Sequence, residues 1–208
     1  TISGRSSENF KPLDVATSIG CFRVKSGSID GHLIVAFAAD KAENREFLTD
    51  LRVYLIRYLH ERGQEINLQE IVDVKLQSVP FAAWSVTEAE FLRKTVHNGH
   101  ELAVAFFEAE EEESPLEVSA REDMLKLNIS EIRPESELEF DLYVHFPKNE
   151  KFIRYSQKQY PLYSDQADRL KEKGIKELHI RKQDEAGVYL YRTQNFLNDK
   201  IKLFKQKK

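Results

Sequence analysis

Two uninterrupted apolar runs constrain the fold more than any other feature of this sequence. Residues 32–38 are HLIVAFA, and residues 102–107 are LAVAFF. A strand that is apolar at every position has to be covered on both of its faces. Each run is therefore expected to form a strand inside a layered domain, with other elements packed above and below the sheet.

The first 108 residues alternate between strand and helix patterns. Residues 19–25 and 72–77 predict strands, and the wide apolar face of residues 44–62 predicts a helix between them. The polar residues 1–18 predict a loose arm.

A second helix is predicted from a pair of local signals. Thr87 and Glu90 fit a capping box, and Val86 with Phe91 fits a hydrophobic staple, which together favour a helix over residues 87–97. The first domain then has the order ββαβαβ. Helices between strands indicate a crossover α/β layer that is at least partly parallel.

An acidic run separates the two halves of the chain. Residues 108–113 are EAEEEE, and Ser114-Pro115 follows. A run of like charges is typical of a solvated spacer. We therefore predict a linker over residues 109–120, between a domain at 1–108 and a second module at 121–208.

The second module shows the pattern of a small antiparallel sheet. Residues 138–146 alternate apolar and polar side chains, a turn follows, and residues 151–156 resume the strand pattern, which predicts a hairpin. A short helix then ends at Gly174, a residue suited to the left-handed position after a helix. A last strand and a C-terminal helix complete an α+β or α/β chain of two small domains.

Three segments of this module also carry a family resemblance. They are DLYVHFPKNEKFIRY, the polar step QKQYPL and LKEKGIKELHIRKQD, all within residues 124–195. This order resembles a small domain of unknown function that precedes HD-GYP cyclic-di-GMP phosphodiesterase domains in bacterial signalling proteins. The sequence has no His-Asp dipeptide and no Gly-Tyr-Pro triplet, so the phosphodiesterase itself is absent or lies outside it. The resemblance implies a regulatory role and supplies no catalytic residues.

A candidate ligand site follows from the Arg-x-x-Asp sequence at Arg181 and Asp184. This spacing resembles the inhibitory cyclic-di-GMP site of diguanylate cyclases, although the signature that normally follows that site is missing here. Arginine suits such a ligand because its planar fork makes bidentate bonds to phosphate or to a guanine edge. Binding would require Arg154 and Lys158 to converge with Arg181 on one pocket. The alternative is that Asp184 simply caps the next helix.

The C-terminal helix carries apolar residues at seven-residue spacing. Such a stripe either packs on its own domain or pairs with a second copy of the chain, which would make a homodimer. The stripe residues are Tyr189, Phe196, Leu203, Leu190, Leu197 and Phe204.

Composition and motifs argue against several other activities. The net charge of −4 disfavours nucleic-acid binding, and no apolar run is long enough to span a membrane. We find no catalytic motif and expect no cofactor or metal. His97 and His100 would share a metal only on a helix, and the single Cys21 is expected to be a buried thiol in a cytoplasmic protein.

Three functions remain as hypotheses. The first is a non-enzymatic regulatory or protein-interaction module of a bacterial signalling protein, whose partner is another protein or a further domain of the same chain. The second is a receptor for cyclic-di-GMP. The third is an enzyme with an unrecognised site in the first domain.

Overall fold

The computed structural model describes residues 18–26, 29–37, 43–61, 67–71, 74–97, 100–109 and 116–207. The chain divides into two compact units. Unit 1 contains Thr1–Glu112 and Thr193–Lys208, and unit 2 contains Glu113–Arg192. The predicted arm at 1–18 lies outside the described residues except for its last position, and so does most of the acidic run.

Unit 1 is built on a five-stranded, fully antiparallel sheet. Its strands lie in the order β3-β1-β2-β5-β4. The elements are β1 (Ser18–Ser26), β2 (Ile29–Phe37), α1 (Glu43–His60), β3 (Asn67–Ile71), α2 (Phe81–Glu88), β4 (Phe91–His97) and β5 (His100–Glu108). The two apolar runs form β2 and β5, which are neighbours within the sheet.

Helix α1 covers the first face of this sheet. Leu48 and Leu51 are buried against Phe22 and Leu33. Gly20 allows the close approach, because a Cβ atom there would lie 2.1 Å from a methyl carbon of Leu48. Tyr54, which the apolar pattern placed on the packed face of the helix, is half exposed.

The second face of the sheet is covered by α2 and by the end of the C-terminal helix. Trp84 of α2 stacks on Phe107 with ring centroids 4.4 Å apart. His32, the partner of Phe107 across β2 and β5, stacks on Phe196 at 5.0 Å. The His32 Nε2 atom lies 3.1 Å from the Thr193 hydroxyl. Both faces of β2 and β5 are therefore buried, as their continuous apolar sequence requires.

The C-terminal helix also holds the irregular segment that precedes α2. The Gln194 side chain accepts the Lys75 backbone N–H at 2.8 Å. Asn198, one turn later, accepts the Gln77 N–H at 2.8 Å and donates to the Lys75 carbonyl at 3.0 Å. Side chains four residues apart share one helix face, so this pair can satisfy the backbone of an extended segment. Of the strand predicted at 72–77, residues 72 and 73 lie outside the described part and residues 74–77 are not in a strand.

The helix predicted over residues 87–97 is wrong. Helix α2 ends at Glu88, and residues 91–97 form β4 in a hairpin with β5. The Thr87 hydroxyl bonds back to the Ala83 carbonyl at 3.0 Å, so it closes one helix and does not cap another. The sequence did contain the competing signal, since Asn-Gly between two strand patterns is the strongest short-range indicator of a hairpin.

The expectation of a partly parallel layer in unit 1 is also wrong. The hairpin of β4 and β5 replaces a helical crossover, and every described strand pair is antiparallel. The α+β class is confirmed.

Unit 2 contains a second antiparallel sheet, with the order β6-β7-β10-β8-β9. Its elements are β6 (Glu117–Val118), β7 (Met124–Asn128), β8 (Leu142–Phe146), β9 (Lys151–Ser156), α3 (Ser164–Glu172), β10 (Glu177–Arg181) and α4 (Glu185–Gln206). One sheet face forms the core with α3 and the first turns of α4. This core includes Leu142, Val144, Leu170, Leu178, Ile180, Val188 and Tyr191.

The predicted hairpin of unit 2 is confirmed, with a shorter first strand. Strand β8 begins at Leu142, and Leu138 and Phe140 are fully buried in the segment before it. Gly174 has a φ of 74° just after α3, as the sequence predicted. Helix α3 begins at Ser164, whose hydroxyl and backbone N–H contact the Glu135 carboxylate at 3.2 and 3.0 Å.

Helix α4 is shared by the cores of both units. Val188 is buried in unit 2, whereas Leu197, Ile201 and Phe204 are buried in the part assigned to unit 1. The sequence prediction had assigned the whole helix to the module at 121–208. Among the described helices, none has the length and apolar character needed to cross a membrane.

The docking of α4 in unit 1 can be tested with two leucines of the same helix. Leu197 is fully buried and Leu203 is 46% exposed. We expect Leu197→Ala to lower the free energy of unfolding by about 2–5 kcal/mol, and Leu203→Ala by less than about 1 kcal/mol. Urea unfolding followed by Trp84 fluorescence reports on unit 1, because Trp84 is the only tryptophan. Equal losses in the two variants would contradict this packing.

Burial of His32 predicts a loss of unit 1 stability in acid. Desolvation, with a smaller effect of the Arg23 charge, lowers the pKa of His32 to about 3. Protonation therefore favours the unfolded state, whose histidine has its ordinary pKa near 6.5. The stabilising effect is complete above pH 6.5 and falls as the pH drops from 6.5 toward 3.

His32→Gln should reduce this pH dependence. By pH 5, protonation of the unfolded histidine is expected to lower the free energy of unfolding of the natural sequence by about 2 kcal/mol. The glutamine variant lacks this contribution, and the control His60→Gln, at an exposed position of α1, retains it. The measurement is the urea midpoint by Trp84 fluorescence at pH 7.5 and pH 5. An unchanged pH dependence in His32→Gln would contradict the assignment.

Candidate ligand-binding face

The second face of the unit 2 sheet carries polar and aromatic side chains. Cross-strand register places Tyr143 beside His179 and Arg154, and His145 beside Phe152. We call this surface the polar face. It comprises Met124, Lys126, Tyr143, His145, Phe152, Arg154, His179 and Arg181.

The ends of three strands bring more charged residues to one end of the polar face. Asp141 precedes β8, Lys158 follows β9, and Asp184 follows β10. Because β8 is antiparallel to both neighbours, it begins where β9 and β10 end. We call the resulting group the Asp141 cluster: Asp141, Tyr143, Arg154, Lys158, Arg181 and Asp184.

The Asp141 carboxylate links several members of this cluster. One oxygen accepts the Lys158 backbone N–H at 2.7 Å. The other accepts the Tyr143 hydroxyl at 3.2 Å and lies 3.6 Å from a guanidinium nitrogen of Arg154. Burial raises the pKa of Asp141, but these donors and the Arg154 charge together lower it below its ordinary value. Asp141 is therefore a fixed anion at neutral pH.

Arg181 lies over the aromatic ring of Tyr143. Its guanidinium carbon is 5.4 Å from the ring centroid, within cation–π range. Tyr143 is nearly buried, and desolvation with the Asp141 charge raises the pKa of its hydroxyl. The Tyr143 phenol therefore stays protonated at neutral pH, and its ring lies beneath the exposed Arg181 side chain.

Asp184 differs electrostatically from Asp141. Burial, followed by the Asp141 charge, raises the pKa of Asp184, while Arg181 and Lys158 partly oppose the shift. It immediately precedes α4, the place expected for a cap. The pKa of Asp141 is therefore lowered and that of Asp184 is raised, and perturbed pKa values are enriched at functional sites.

An aromatic group continues the polar face beyond Tyr143. His145 stacks on Phe152 at 4.5 Å, and His179 meets both rings edge-on at 5.6 and 5.0 Å. Desolvation, with the His145 charge second, lowers the pKa of His179 to about 4. His179 is therefore neutral at pH 7, and its buried ring packs against His145 and Phe152.

The cluster combines accessible cations with hydrogen-bond acceptors. The Arg154 and Lys158 side chains are each more than half exposed, and Arg181 is exposed. Lys158 also lies 3.7 Å from Glu139, so carboxylates balance much of the positive charge. Such a site suits a ligand that offers both hydrogen-bond donors and negative groups. A purely anionic ligand would meet repulsion from Asp141.

The six residues of the predicted helix stripe do not form one common surface. Leu197 and Phe204 are buried, Phe196 stacks on His32, and Leu203 is exposed. Tyr189 is half-buried with its hydroxyl 3.3 Å from Glu185, and Leu190 is half-buried. Most of the stripe is therefore used for packing within the chain.

The other residues considered for chemistry have structural positions. Cys21 is fully buried, as predicted, and desolvation raises the pKa of its thiol to about 12. His97 and His100 are partners across the β4–β5 hairpin, so they do not share a helix turn. Within the described ranges, no three His, Cys, Asp or Glu side chains are grouped to hold a metal ion.

Sequence reasoning found Arg154, Lys158, Arg181 and Asp184 but missed the residue that joins them. In the sequence, Asp141 is only one of the polar positions in the alternating strand pattern of residues 138–146. Pairing β8 with both β9 and β10 would have placed it at the shared end. The pairing of β10 with β8 joins residues that are distant in sequence, so local patterns do not specify it.

Comparison of the chain with known proteins gave no match. The chain has no significant match to a protein family, to a curated protein or to a solved structure.

Proposed function

We propose that this chain is a non-enzymatic regulatory module of a bacterial signalling protein, and that it responds to a cyclic dinucleotide of the cyclic-di-GMP type. The observation that carries the proposal is the convergence of Arg154, Lys158, Arg181 and Asp184 around Asp141 and Tyr143. The sequence motif predicts a ligand site at Arg181 and Asp184 only if Arg154 and Lys158 lie close to Arg181, and the Asp141 cluster contains all four residues.

The chemistry of the cluster matches both parts of such a ligand. A guanine base offers N–H donors on one edge, which an ionised Asp141 can accept. Arg154 and Arg181 supply the planar donor forks that suit phosphate oxygens or the O6 and N7 acceptors of guanine. The partly exposed rings of His145 and Phe152 provide a surface on which a base can stack.

The regulatory role itself is supported by the resemblance at residues 124–195 and by the nature of the cluster. The Asp141 cluster contains side chains that can bind a ligand. Its ionised Asp141 carboxylate is held by the Lys158 amide, the Tyr143 hydroxyl and the Arg154 guanidinium. A carboxylate so engaged is better suited to recognition than to proton transfer. We also infer a cytoplasmic location, which suits a chain whose single cysteine is a buried thiol.

Calorimetric titration with cyclic-di-GMP tests the proposal. We expect saturable binding to the natural sequence and at least a tenfold loss of affinity in Arg181→Ala, because a bidentate charged contact is worth more than about 1.4 kcal/mol. The matched control is Arg169→Ala, which removes an exposed arginine paired with Asp165 on α3. Binding that is absent, or that Arg169→Ala weakens as much as Arg181→Ala, would contradict the proposal.

A further inference from the structure

Strand β9 forms one edge of the unit 2 sheet. Its inner side pairs with β8, and no described strand pairs with its outer side. An edge strand presents unpaired backbone N–H and C=O groups that can accept another strand. Apolar side chains accompany this edge, since Ile153 is 54% exposed and Phe146 is 45% exposed.

We propose that the outer edge of β9 pairs antiparallel with β9 of a second copy of this chain, in the register centred on Ile153. The two sheets would then join into one ten-stranded sheet across a two-fold axis. The proposal goes beyond nucleotide binding and does not depend on it.

Symmetry limits the possible registers of this pairing. A two-fold axis normal to a sheet keeps each side chain on its own face, and neighbouring residues of a strand lie on opposite faces. The axis must therefore pass between two copies of the same residue. In the six-residue β9, Ile153 and Arg154 are the residues nearest the middle.

Charge selects between these two registers. Centring on Arg154 would place the arginines of the two copies directly opposite each other, which is destabilising. Centring on Ile153 brings two exposed apolar side chains together. It also puts Arg154 opposite Phe152 of the second copy, and Lys151 opposite Tyr155. Each cation then faces an aromatic ring, a favourable cross-strand pair.

The positive charge near β9 limits the strength of this dimer. Residues 146–158 carry Lys148, Lys151, Arg154 and Lys158 against the single Glu150, so like charges meet in a dimer. Pairing of one strand from each copy also buries less than a standard interface of about 1,600 Å². We therefore expect a weak dimer that is strengthened by salt, because salt screens the repulsion.

Sedimentation equilibrium without nucleotide tests this dimer. The natural sequence should show a concentration-dependent rise toward twice the chain mass, and the rise should be larger at about 0.5 M than at about 0.05 M salt. Ile153→Lys should abolish it, since two added lysines would face each other. Val118→Lys is the matched control, because Val118 is also 54% exposed and lies on β6 at the opposite edge of the same sheet.

Disulfide trapping makes the test decisive for a weak dimer. Cα atoms of directly opposed antiparallel residues lie about 4.5–5.5 Å apart, within the range of a disulfide. Ile153→Cys should form a covalent dimer on mild oxidation, and Val118→Cys should not; the native Cys21 is buried and does not interfere. Equal trapping at both positions, no trapping at Ile153→Cys, or sedimentation unchanged by Ile153→Lys would overturn the proposal. Because cyclic-di-GMP is absent throughout, failure here is separate from failure of nucleotide binding.

Discussion

The contact of His32 with Thr193 and Phe196 is the interaction on which unit 1 most depends. It joins the centre of the sheet to the part of α4 that covers the second sheet face. Ala36, Ala103 and Ala105 lie on that same face and are fully buried. Without α4, the buried and neutral His32 would lose its contacts with Thr193 and Phe196. The late turns of the helix are therefore part of the unit 1 core, although they lie far from β2 in sequence.

The sheet of unit 2 differs from that of unit 1, because only one of its two faces packs in the hydrophobic core. Leu142, Val144, Leu178 and Ile180 pack on that side with α3 and the first turns of α4. The other face carries the aromatic and charged residues that we propose as the ligand-binding face. Antiparallel pairing collects the charged residues at one end of that face. The Asp141 carboxylate then fixes them with bonds to Lys158 and Tyr143.

Local patterns predicted much of this structure. Strands β1, β2 and β5, the β8–β9 hairpin, helices α1 and α3 and the conformation of Gly174 all followed from apolar patterns and turn residues. Features that depend on distant pairing were missed. A helix was predicted where β4 lies, because the capping pattern at Thr87 and Glu90 outweighed the turn signal of Asn98-Gly99. The division of α4 between two units was not seen, because an apolar stripe does not specify which surface it covers.

The candidate site shows the same division between local and distant information. A short motif predicted Arg181 and Asp184, and Arg154 and Lys158 were proposed only as basic residues that would have to converge with Arg181. Local patterns give no reason to group Asp141, Phe152 and His179, and the strand register is what places them on the polar face or at its end. Neither α4 nor the acidic run carries the proposed function, which rests on the polar face of unit 2.

The most direct test of the account is to map backbone amide chemical shifts by NMR while cyclic-di-GMP is added. The account predicts shifts at the amides of Asp141, Tyr143, Lys158 and Arg181, with the Lys158 amide prominent because it donates to Asp141. Amides of β1 and β2 should be unaffected. No change at saturating nucleotide, or changes confined to unit 1, would contradict the central claim that the polar face binds this ligand.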